Sequence, residues 1–323
     1  MCTACCVNLD DFYFGRNLDL EYRFEEKVVI TPRNFRFNFH KSKPIKSHFA
    51  FIGIACVIDD FPLYYDAVNE KGLCIAALSF IGNAFYSHPI CDKENLAPFE
   101  FIPYILSKCE TVNDTEKLLK EINIIDFDFN KDFKNTPLHF IISDKRKSIT
   151  VEPMKDGLKV YNNPVGVLTN NPPFDLQLFN LNNYMNLTNK TPKNRFSKHL
   201  SLKPYSRGMG GLGLPGDLSS MSRFVRATFT KFNSVFGETN EQKVNQFFHI
   251  LESVYQQKGC ASVGDKFEFT LYSCCCNATK GIFYYKTYEN TQINAIDITK
   301  ENLNSKELII FKLREKTNIY EQN

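Results

Sequence analysis

The chain has 323 residues, of which 43% are hydrophobic and 23% are charged, and its formal net charge is +3 at pH 7. This size and composition suit one large domain, or two small ones, with a sizeable buried core. So small a net charge argues against a nucleic-acid surface, and no run of about 18 apolar residues predicts a membrane span. The first residues lack the basic and apolar parts of a secretory signal, so we interpret the 11 cysteines as free thiols of a cytoplasmic protein.

The first half of the chain is predicted to consist mainly of β-strands. Runs of Val, Ile and aromatic residues that end at turn residues are typical of strands, and residues 49–58 have the length of a fully buried one. A helix is predicted within residues 111–122, because Thr111 and Asp114 have the spacing of a helix-capping pair. The other predicted strands are 27–33, the two arms of a hairpin within 64–79, the pair 138–142 and 148–152, and 157–161.

The second half is predicted to contain an irregular region, two helices and a hairpin. Residues 180–203 are polar and rich in Asn, which indicates an excursion from the body, and residues 208–216 form a glycine-rich loop. Many strands with a few separate helices, without regular strand–helix–strand alternation, indicate an α+β fold. The predicted helices are 222–232 and 241–257, the hairpin is 267–276 with 281–288, and the last strand is 308–313.

Cys2 is the first candidate for catalysis. A small second residue allows the initiator Met to be removed, and the chain would then begin with a thiol and a free α-amine on one residue. The α-amine has an unperturbed pKa of roughly 7.7–8.0, so it can act as a base at neutral pH, and the thiol is an intrinsic nucleophile. The alternative is that a cysteine at position 2 is only an accident of the start site.

Three further segments carry polar residues that suit such a site. Arg16 lies in a strand that follows a hairpin from the N-terminus and could favour a thiolate, whereas Asp19 could orient the α-amine. The side-chain amide of Asn170 is a suitable oxyanion donor, and Arg223 lies at the start of a predicted helix. Each position also has a plain alternative, namely a surface Arg, a turn residue or part of a helix cap.

The cysteines also suggest a different class of protein, a metal-binding or redox module. Cys2 and Cys5 have a C-x-x-C spacing, but no second Cys or His pair lies nearby at zinc-like spacing. Cys274, Cys275 and Cys276 are consecutive, and neighbours in a strand face opposite sides, so the three cannot reach one metal. We therefore predict no metal and no organic cofactor, and interpret these cysteines mainly as small core residues.

The order of these segments along the chain resembles that of the choloylglycine hydrolase family, which contains bile salt hydrolases and penicillin V acylases. The resemblance covers nearly the whole chain, and several motifs of this length in the family's order are a specific signal. The matching segments are MCT at 1–3, FGRNLDLEY at 14–22, ITPRNF at 30–35, NEKGL at 69–73, GVLTNNPPFD at 166–175, GLPGDLSSMSRF at 213–224 and KGIFYYKTYENTQINAIDI at 280–298.

This resemblance implies the four-layer αββα fold of N-terminal-nucleophile hydrolases, with two stacked antiparallel sheets in a single domain that spans residues 2–323. It implies an amide hydrolase in which Cys2 is the nucleophile, its own α-amine accepts the proton, and a thioester forms. Arg16 and Asp19 match the family's residues that orient and activate the cysteine. Asn170 matches its oxyanion amide, and Arg223 matches its active-site arginine.

Position 79 is the clearest departure from the family pattern. The second oxyanion donor of the family is the backbone N–H at this position, where bile salt hydrolases commonly carry Asn and penicillin V acylases Tyr, whereas this chain carries Ser79. A backbone N–H survives such a change, so the departure bears on the substrate class more than on catalysis. The implied substrate is a conjugated bile acid; the alternatives are penicillin V or another N-acyl amide, and a bile-acid-binding relative without activity.

The acyl pocket of the family is lined by three loops, which here offer apolar side chains suited to a steroid face or a phenyl group. The resemblance also implies a homotetramer that assembles through residues 180–203, with no nucleic-acid or membrane partner. The residues expected in the pocket are Leu18, Phe24, Ile58, Tyr65, Phe129 and Phe133.

Overall fold

The computed structural model describes residues 1–323, with eighteen strands and five α-helices. None of the helices has the length and apolar character needed to span a membrane. The strands are β1 (Cys2–Asn8), β2 (Phe12–Leu20), β3 (Lys27–Thr31), β4 (Phe51–Ile58), β5 (Phe61–Asn69), β6 (Cys74–Ser79), β7 (Glu94–Leu96), β8 (Ile122–Ile124), β9 (Leu138–Ser143), β10 (Ser148–Met154), β11 (Gly157–Asn162), β12 (Val167–Leu168), β13 (Ser262–Val263), β14 (Lys266–Phe267), β15 (Phe269–Asn277), β16 (Ile282–Thr287), β17 (Asn294–Asp297) and β18 (Ile309–Lys312). The helices are α1 (Pro98–Lys108), α2 (Val112–Leu119), α3 (Phe174–Asn180), α4 (Ser220–Asn233) and α5 (Asn240–Glu252).

Two large antiparallel sheets form the body of the molecule. The first has six strands in the order β12–β1–β2–β15–β16–β17, and the second has eight in the order β11–β10–β9–β6–β5–β4–β3–β18. Strands β1 and β2 lie inside the first sheet and contact β6 of the second sheet across the interface between them. The start of the chain is therefore enclosed between the two sheets.

Helices cover the outer face of each sheet. Helices α4 and α5 pack on the first sheet, where α4 contacts β1 and β12 and α5 contacts β15 and β2. Helix α1 packs on the second sheet against β5 and β6. The result is the four-layer αββα arrangement, so the predicted α+β fold class and its two stacked sheets are confirmed.

The hydrophobic core follows these layers. A cluster of 41 buried residues fills the space between the sheets and under α4 and α5, and a second cluster of 25 lies between the second sheet and α1 and α2. Strand β4 contributes to both, because successive side chains in a strand face opposite sides. Ile52 and Ile54 belong to the first cluster, whereas Phe51 and Ala55 belong to the second.

Strand β2 depends on a glycine where it passes β15. Gly15 pairs with Cys275, and a side chain at position 15 would collide with the backbone carbonyl of Cys274. The absence of a Cβ lets the two strands approach each other closely. All nine residues of β15 are buried, because the strand is covered on both of its faces. The three consecutive cysteines of β15 lie in the first hydrophobic cluster, as their interpretation as small core residues predicts.

Most predicted elements are present with shifts of one to five residues at their ends. The capping pair at Thr111 and Asp114 starts α2, with Asp114 N–H donating to Thr111 Oγ1 at 3.2 Å. The helix predicted to reach residue 257 ends at Glu252. The sequence prediction missed the short elements β7, β8, β12, β13, β17 and α3. Two to seven residues are too few for a periodic pattern, and Asn-Pro before α3 indicates a turn.

Candidate active site

Cys2 begins β1 opposite Leu18 of β2 and is only 3% exposed. Its backbone N–H donates to Asn170 Oδ1 at 2.8 Å, and its carbonyl oxygen accepts from Arg223 Nη1 at 2.6 Å. The residue also lines a cavity of about 440 Å³. Two main-chain hydrogen bonds therefore hold the candidate nucleophile at a cavity wall, where a ligand can reach it.

Arg16 lies near the middle of β2 and is fully buried between the sheets. Its Nη1 donates to the carbonyl oxygens of Tyr65 (2.9 Å) and Ala77 (2.6 Å) in the second sheet, whereas Nη2 has no hydrogen-bond partner within the protein. Burial opposes its charge, but the nearby Cys2 and Asp66 favour it, and the pKa of the guanidinium ends above its ordinary value. A guanidinium that stays positively charged beside a thiol favours the thiolate.

Asp19 lies at the end of the same strand, but its carboxylate does not contact the α-amine of the chain. The carboxylate accepts from Thr270 Oγ1 at 2.6 Å and from Gln256 Nε2 at 3.0 Å. The amine, which here belongs to Met1, donates to the backbone carbonyl of Asp19 at 2.8 Å. Asp19 thus touches the amine through its main chain, and two neutral donors hold its carboxylate.

Glu268 contacts the N-terminal amine, and sequence reasoning did not identify it. Its Oε1 forms an ion pair with the Met1 amine at 2.5 Å, and the residue is only 5% exposed. Burial raises the pKa of the Glu268 carboxyl, and the Met1 ammonium acts in the opposite direction. Glu268 lies between β14 and β15, and no local motif marks a carboxylate there as a partner of the N-terminus.

Asn170 follows β12, and its side-chain amide is held from both sides. Its Oδ1 accepts from the Cys2 N–H and from Arg223 Nη2 at 2.7 Å. A guanidinium has only donors, so the amide oxygen must face it and the amide nitrogen must face away. That nitrogen donates to the carbonyl of Ser79, at the end of β6, at 2.8 Å. Both predicted oxyanion positions, 79 and 170, are therefore direct neighbours.

Arg223 connects these segments from the first turn of α4. Its Nη1 donates to Thr3 Oγ1 at 2.7 Å as well as to Cys2, and its Nε donates to the carbonyl of Leu218 at 2.9 Å. It is fully buried, which lowers the pKa of its guanidinium, whereas the charges of Asp19, Cys2 and Glu268 act in the opposite direction. One side chain thus joins β1, α4 and the segment after β12.

The cavity beside Cys2 is mostly apolar, since 14 of its 22 lining residues are hydrophobic. Five of the six residues predicted for the pocket line it, as do the candidate catalytic residues Arg16 and Ser79. The five are Leu18, Phe24, Tyr65, Phe129 and Phe133. Sequence reasoning did not name several other lining residues. They include Leu20 at the end of β2, Tyr22 just after it, Phe99 on α1 and Lys134 in the irregular segment before β9.

Ile58, the sixth residue predicted for the pocket, does not line this cavity. It is the last residue of β4 and pairs with Phe61 across the turn to β5. On β4 the cavity wall is formed by Cys56, two residues earlier on the same face. Ile58 therefore lies at the tip of the hairpin, beyond the wall.

The cysteines do not form a site for a metal. No group of three or more His, Cys, Asp or Glu side chains is arranged to hold a metal ion, and all 11 cysteines are free. Cys5, Cys6 and Cys274–Cys276 are instead part of the hydrophobic cluster between the sheets. The alternative of a metal-binding module thus has no geometry to support it.

Comparisons with known proteins agree with this architecture. Residues 2–311 match the family described as linear amide C–N hydrolases, choloylglycine hydrolase family. A bile salt hydrolase/transferase from Lactiplantibacillus plantarum is 52% identical, and the match covers 100% of both chains. The crystal structure of a mutant conjugated bile acid hydrolase from Clostridium perfringens matches with a TM-score of 0.92 at 37% identity, over 100% of both chains. A penicillin V acylase from Agrobacterium tumefaciens has the same fold, with a TM-score of 0.77 at 19% identity over 98% of this chain and 92% of its own.

A cysteine at the start of the first strand, beside a cavity between two antiparallel sheets that helices cover on both sides, defines the class of N-terminal-nucleophile amide hydrolases. Within that class, the chain belongs to the choloylglycine hydrolase family. The resemblance found in the sequence is confirmed, as is the general activity of a linear amide C–N hydrolase.

Proposed function

We propose that this protein hydrolyses the amide bond of bile acids conjugated to glycine or taurine. The observation that carries the proposal is the meeting of a hydrogen-bonded polar cluster and an apolar cavity at Cys2. An apolar wall suits a steroid face, and the few polar groups at one end suit the amide to be cleaved. The names of the relatives, a bile salt hydrolase/transferase and a conjugated bile acid hydrolase, support the same substrate class.

In the proposed reaction, removal of Met1 leaves a thiol and a primary amine on Cys2. The thiolate attacks the substrate carbonyl, and the resulting oxyanion accepts hydrogen bonds from Asn170 Nδ2 and from the backbone N–H of Ser79. The α-amine of Cys2 accepts the thiol proton and passes it to the departing glycine or taurine nitrogen. Water then hydrolyses the thioester, which releases the bile acid and the thiol, and no cofactor takes part.

The remaining residues act on the charge and position of these groups. We assign Arg16 to thiolate stabilisation through its buried charge, and Asp19 to the placement of the N-terminal amine. Arg223 holds the Asn170 amide oxygen, which leaves the amide nitrogen to donate to the oxygen of the substrate carbonyl. The five lining residues Leu18, Phe24, Tyr65, Phe129 and Phe133 are assigned to the acyl group.

The test assays taurocholate, glycocholate and penicillin V as substrates of the purified protein and of its Cys2→Ser variant. We expect amino-acid release from the two bile acids and a thioester of the bile acid on the wild-type chain by intact mass. The variant should form no thioester and show at most trace turnover. Full hydrolysis by Cys2→Ser would remove Cys2 from its role, and faster turnover of penicillin V than of both bile acids would assign the protein as an acylase instead.

Acyl transfer is a second candidate activity, favoured by the name of the 52% identical relative, a bile salt hydrolase/transferase. A thioester can react with an amine in place of water, and the Cys2 amine can accept the proton of either nucleophile. Incubation of glycocholate with an excess of taurine should then yield taurocholate. Formation of free cholate alone would restrict the protein to hydrolysis.

We also propose that the single domain of residues 2–323 assembles as a homotetramer through residues 180–203. Within and beside this segment several large apolar side chains are exposed, which is typical of an interaction surface. They include Phe179, Met185, Phe196 and Tyr205, with exposed fractions of 73%, 79%, 83% and 82%. Light scattering should give the mass of a tetramer, and the double variant Phe196→Ser and Tyr205→Ser should be smaller; a wild-type monomer would contradict the proposal.

We place the enzyme in the cytoplasm, where 11 free thiols remain reduced.

A further inference from the structure

We propose that His139 is a positioning residue that fixes the two oxyanion donors relative to each other. The inference rests on the proposed function, in which Asn170 Nδ2 and the Ser79 N–H hold the oxyanion. His139 lies on β9, is fully buried and does not line the cavity. It can therefore act on the reaction only through its neighbours, and its contacts lead to both donors.

On one side, His139 holds the residue directly before Asn170. Its Nε2 lies 2.9 Å from the carbonyl oxygen of Thr169. A carbonyl oxygen only accepts, so Nε2 carries a proton and donates it to this bond. Thr169 is itself fully buried, and its Oγ1 donates to Gln177 Oε1 at 2.8 Å. The main chain that leads into Asn170 is thus tied to the imidazole.

On the other side, the imidazole packs on the residue directly after Ser79. The rings of His139 and Phe80 are parallel to within 7°, and their centroids lie 4.3 Å apart. Phe80 is fully buried, and its N–H donates to the carbonyl of Pro137 at 2.8 Å. One ring therefore lies between the segment that carries Ser79 and the segment that carries Asn170.

Glu152 holds the imidazole in this orientation. His139 Nδ1 lies 3.1 Å from Glu152 Oε1, which also accepts from the Phe174 N–H at 3.0 Å. Because Nε2 already carries a proton, one more proton lies between Nδ1 and Oε1, on the imidazole or on the carboxyl. The hydrogen bond to Glu152 thus keeps the ring in the orientation that reaches Thr169.

This arrangement predicts a selective defect. Oxyanion donors stabilise the transition state only when they lie at hydrogen-bond distance from the developing charge. Loss of the imidazole frees Thr169 and Phe80 to shift independently, so reactions that form an oxyanion should slow. Alkylation of the Cys2 thiol forms no oxyanion, so it should continue at its normal rate.

The test measures two reactions of Cys2 in the same preparation of the processed protein. A p-nitrophenyl acyl ester acylates the thiol through an oxyanion, whereas iodoacetamide alkylates it without one. His139→Phe retains an aromatic ring against Phe80 but removes both hydrogen bonds of the imidazole. We expect this variant to lower the acylation rate about 10- to 100-fold, with alkylation within about twofold and with kcat on the amide substrate reduced more than KM is raised.

His48→Phe is the matched control, because His48 is another buried histidine whose two ring nitrogens face main-chain carbonyls, those of Phe49 (2.7 Å) and Phe35 (2.9 Å). It should change neither rate. If His139→Phe does not fold, Phe80→Leu and His139→Gln repeat the test, since each removes one part of the contact.

Unchanged acylation in the folded variants would overturn the inference, and so would an equal loss of acylation and alkylation, which indicates general damage to the site. In a double-mutant cycle, adding His139→Phe to Asn170→Ala should cost much less acylation than His139→Phe alone, because the relative position of the two donors no longer matters once the Asn170 amide is gone. Additive losses would contradict that link. The ester does not depend on bile acids, so wild-type protein that reacts with the ester but cleaves no conjugated bile acid would refute the proposed function and leave this inference standing.

Discussion

The two ends of the cavity differ in how firmly their residues are held. At the polar end, Cys2 lines the cavity, and Asn170 and Arg223 hold it from behind the wall; the three are at most 6% exposed and are joined by direct hydrogen bonds of 2.6–2.8 Å. At the acyl end, partly buried aromatic side chains meet through ring contacts, such as Phe24 with Phe133 at 5.9 Å between centroids. Residues 127–137, which contribute to this wall, have no regular secondary structure.

This difference indicates that the polar end determines the reaction rate and the acyl end determines which substrates bind. Hydrogen bonds from three chain segments fix the reacting groups in one geometry, as transition-state stabilisation requires. Ring contacts on an irregular segment define an apolar volume, and such a wall can adjust to different acyl groups. Changes at the polar end should therefore reduce the rate for every substrate, whereas changes at the acyl end should alter affinity and preference.

The largest effect at the polar end is expected from an N-terminal extension that cannot be removed. It converts the Cys2 amine into an amide, which cannot accept a proton at neutral pH, so we expect a loss of about 10²- to 10⁴-fold in kcat. The same extension with a protease site that leaves Cys2 as the first residue is the control and should regain full activity. Initial rates on taurocholate measure both, and an active extended protein would show that the free amine is not needed.

Asn170→Ala should have the next largest effect, a loss of about 10²- to 10³-fold in kcat with little change in KM, because one oxyanion donor is removed. Asn171→Ala is the control: its Nδ2 donates to the Ile81 carbonyl at 2.7 Å at an exposed position. Steady-state kinetics on glycocholate and taurocholate should show the same loss for both. A loss confined to one substrate would place Asn170 among the selectivity residues.

Phe133→Ala tests the acyl end. Removal of a partly buried ring should weaken binding by roughly 1 kcal/mol, about a fivefold rise in KM for bile acids, with kcat within about twofold. Ile58→Ala removes another partly buried apolar side chain, one that does not line the cavity, so it should leave KM unchanged. Equal effects of the two substitutions would remove the assignment of this wall to the acyl group.

The smallest effect concerns the start of α4, the helix that carries Arg223. The Ser219 N–H and the Ser222 hydroxyl donate to Asp217, and these bonds lower the pKa of its carboxyl to about 2. A lowered pKa stabilises the fold above the ordinary value of 3.8, and this contribution is lost as the pH falls through about 2. Asp217→Asn should cost about 0.3–1 kcal/mol in the free energy of unfolding at neutral pH. Urea unfolding at pH 7 and near pH 2 checks this, and a difference that persists near pH 2 would assign it to another cause.

The fold and the residues of the polar end could largely be predicted, for different reasons. Strand runs, capping pairs and turn residues are local signals, so they predict elements such as β4 and α2 without knowledge of the tertiary structure. Cys2, Arg16, Asn170 and Arg223 lie in motifs that resemble a known family. The structure places three of them in one hydrogen-bonded cluster and Arg16 on the same cavity, and their catalytic roles remain predictions.

The remaining residues carry no local signal. Glu268 and His139 reach the site because strands distant in sequence are neighbours in the sheets, and neither spacing nor composition records that pairing. Ile58, also predicted for the pocket, lies outside the cavity for a related reason. A loop can be assigned to a cavity by resemblance, but the residue at which the wall ends depends on where the strand turns, which is after Ile58 here.

The fork shape of Arg223 has a consequence for which substitutions this protein can tolerate. Its guanidinium serves acceptors on Cys2, Thr3 and Asn170 at once, in addition to the carbonyl of Leu218. A lysine would bring the same charge as a single compact ammonium, with no rigid plane to reach all four. Arg223→Lys would therefore preserve the electrostatics of the buried centre while dismantling its geometry, so at this position charge alone is not a conservative replacement.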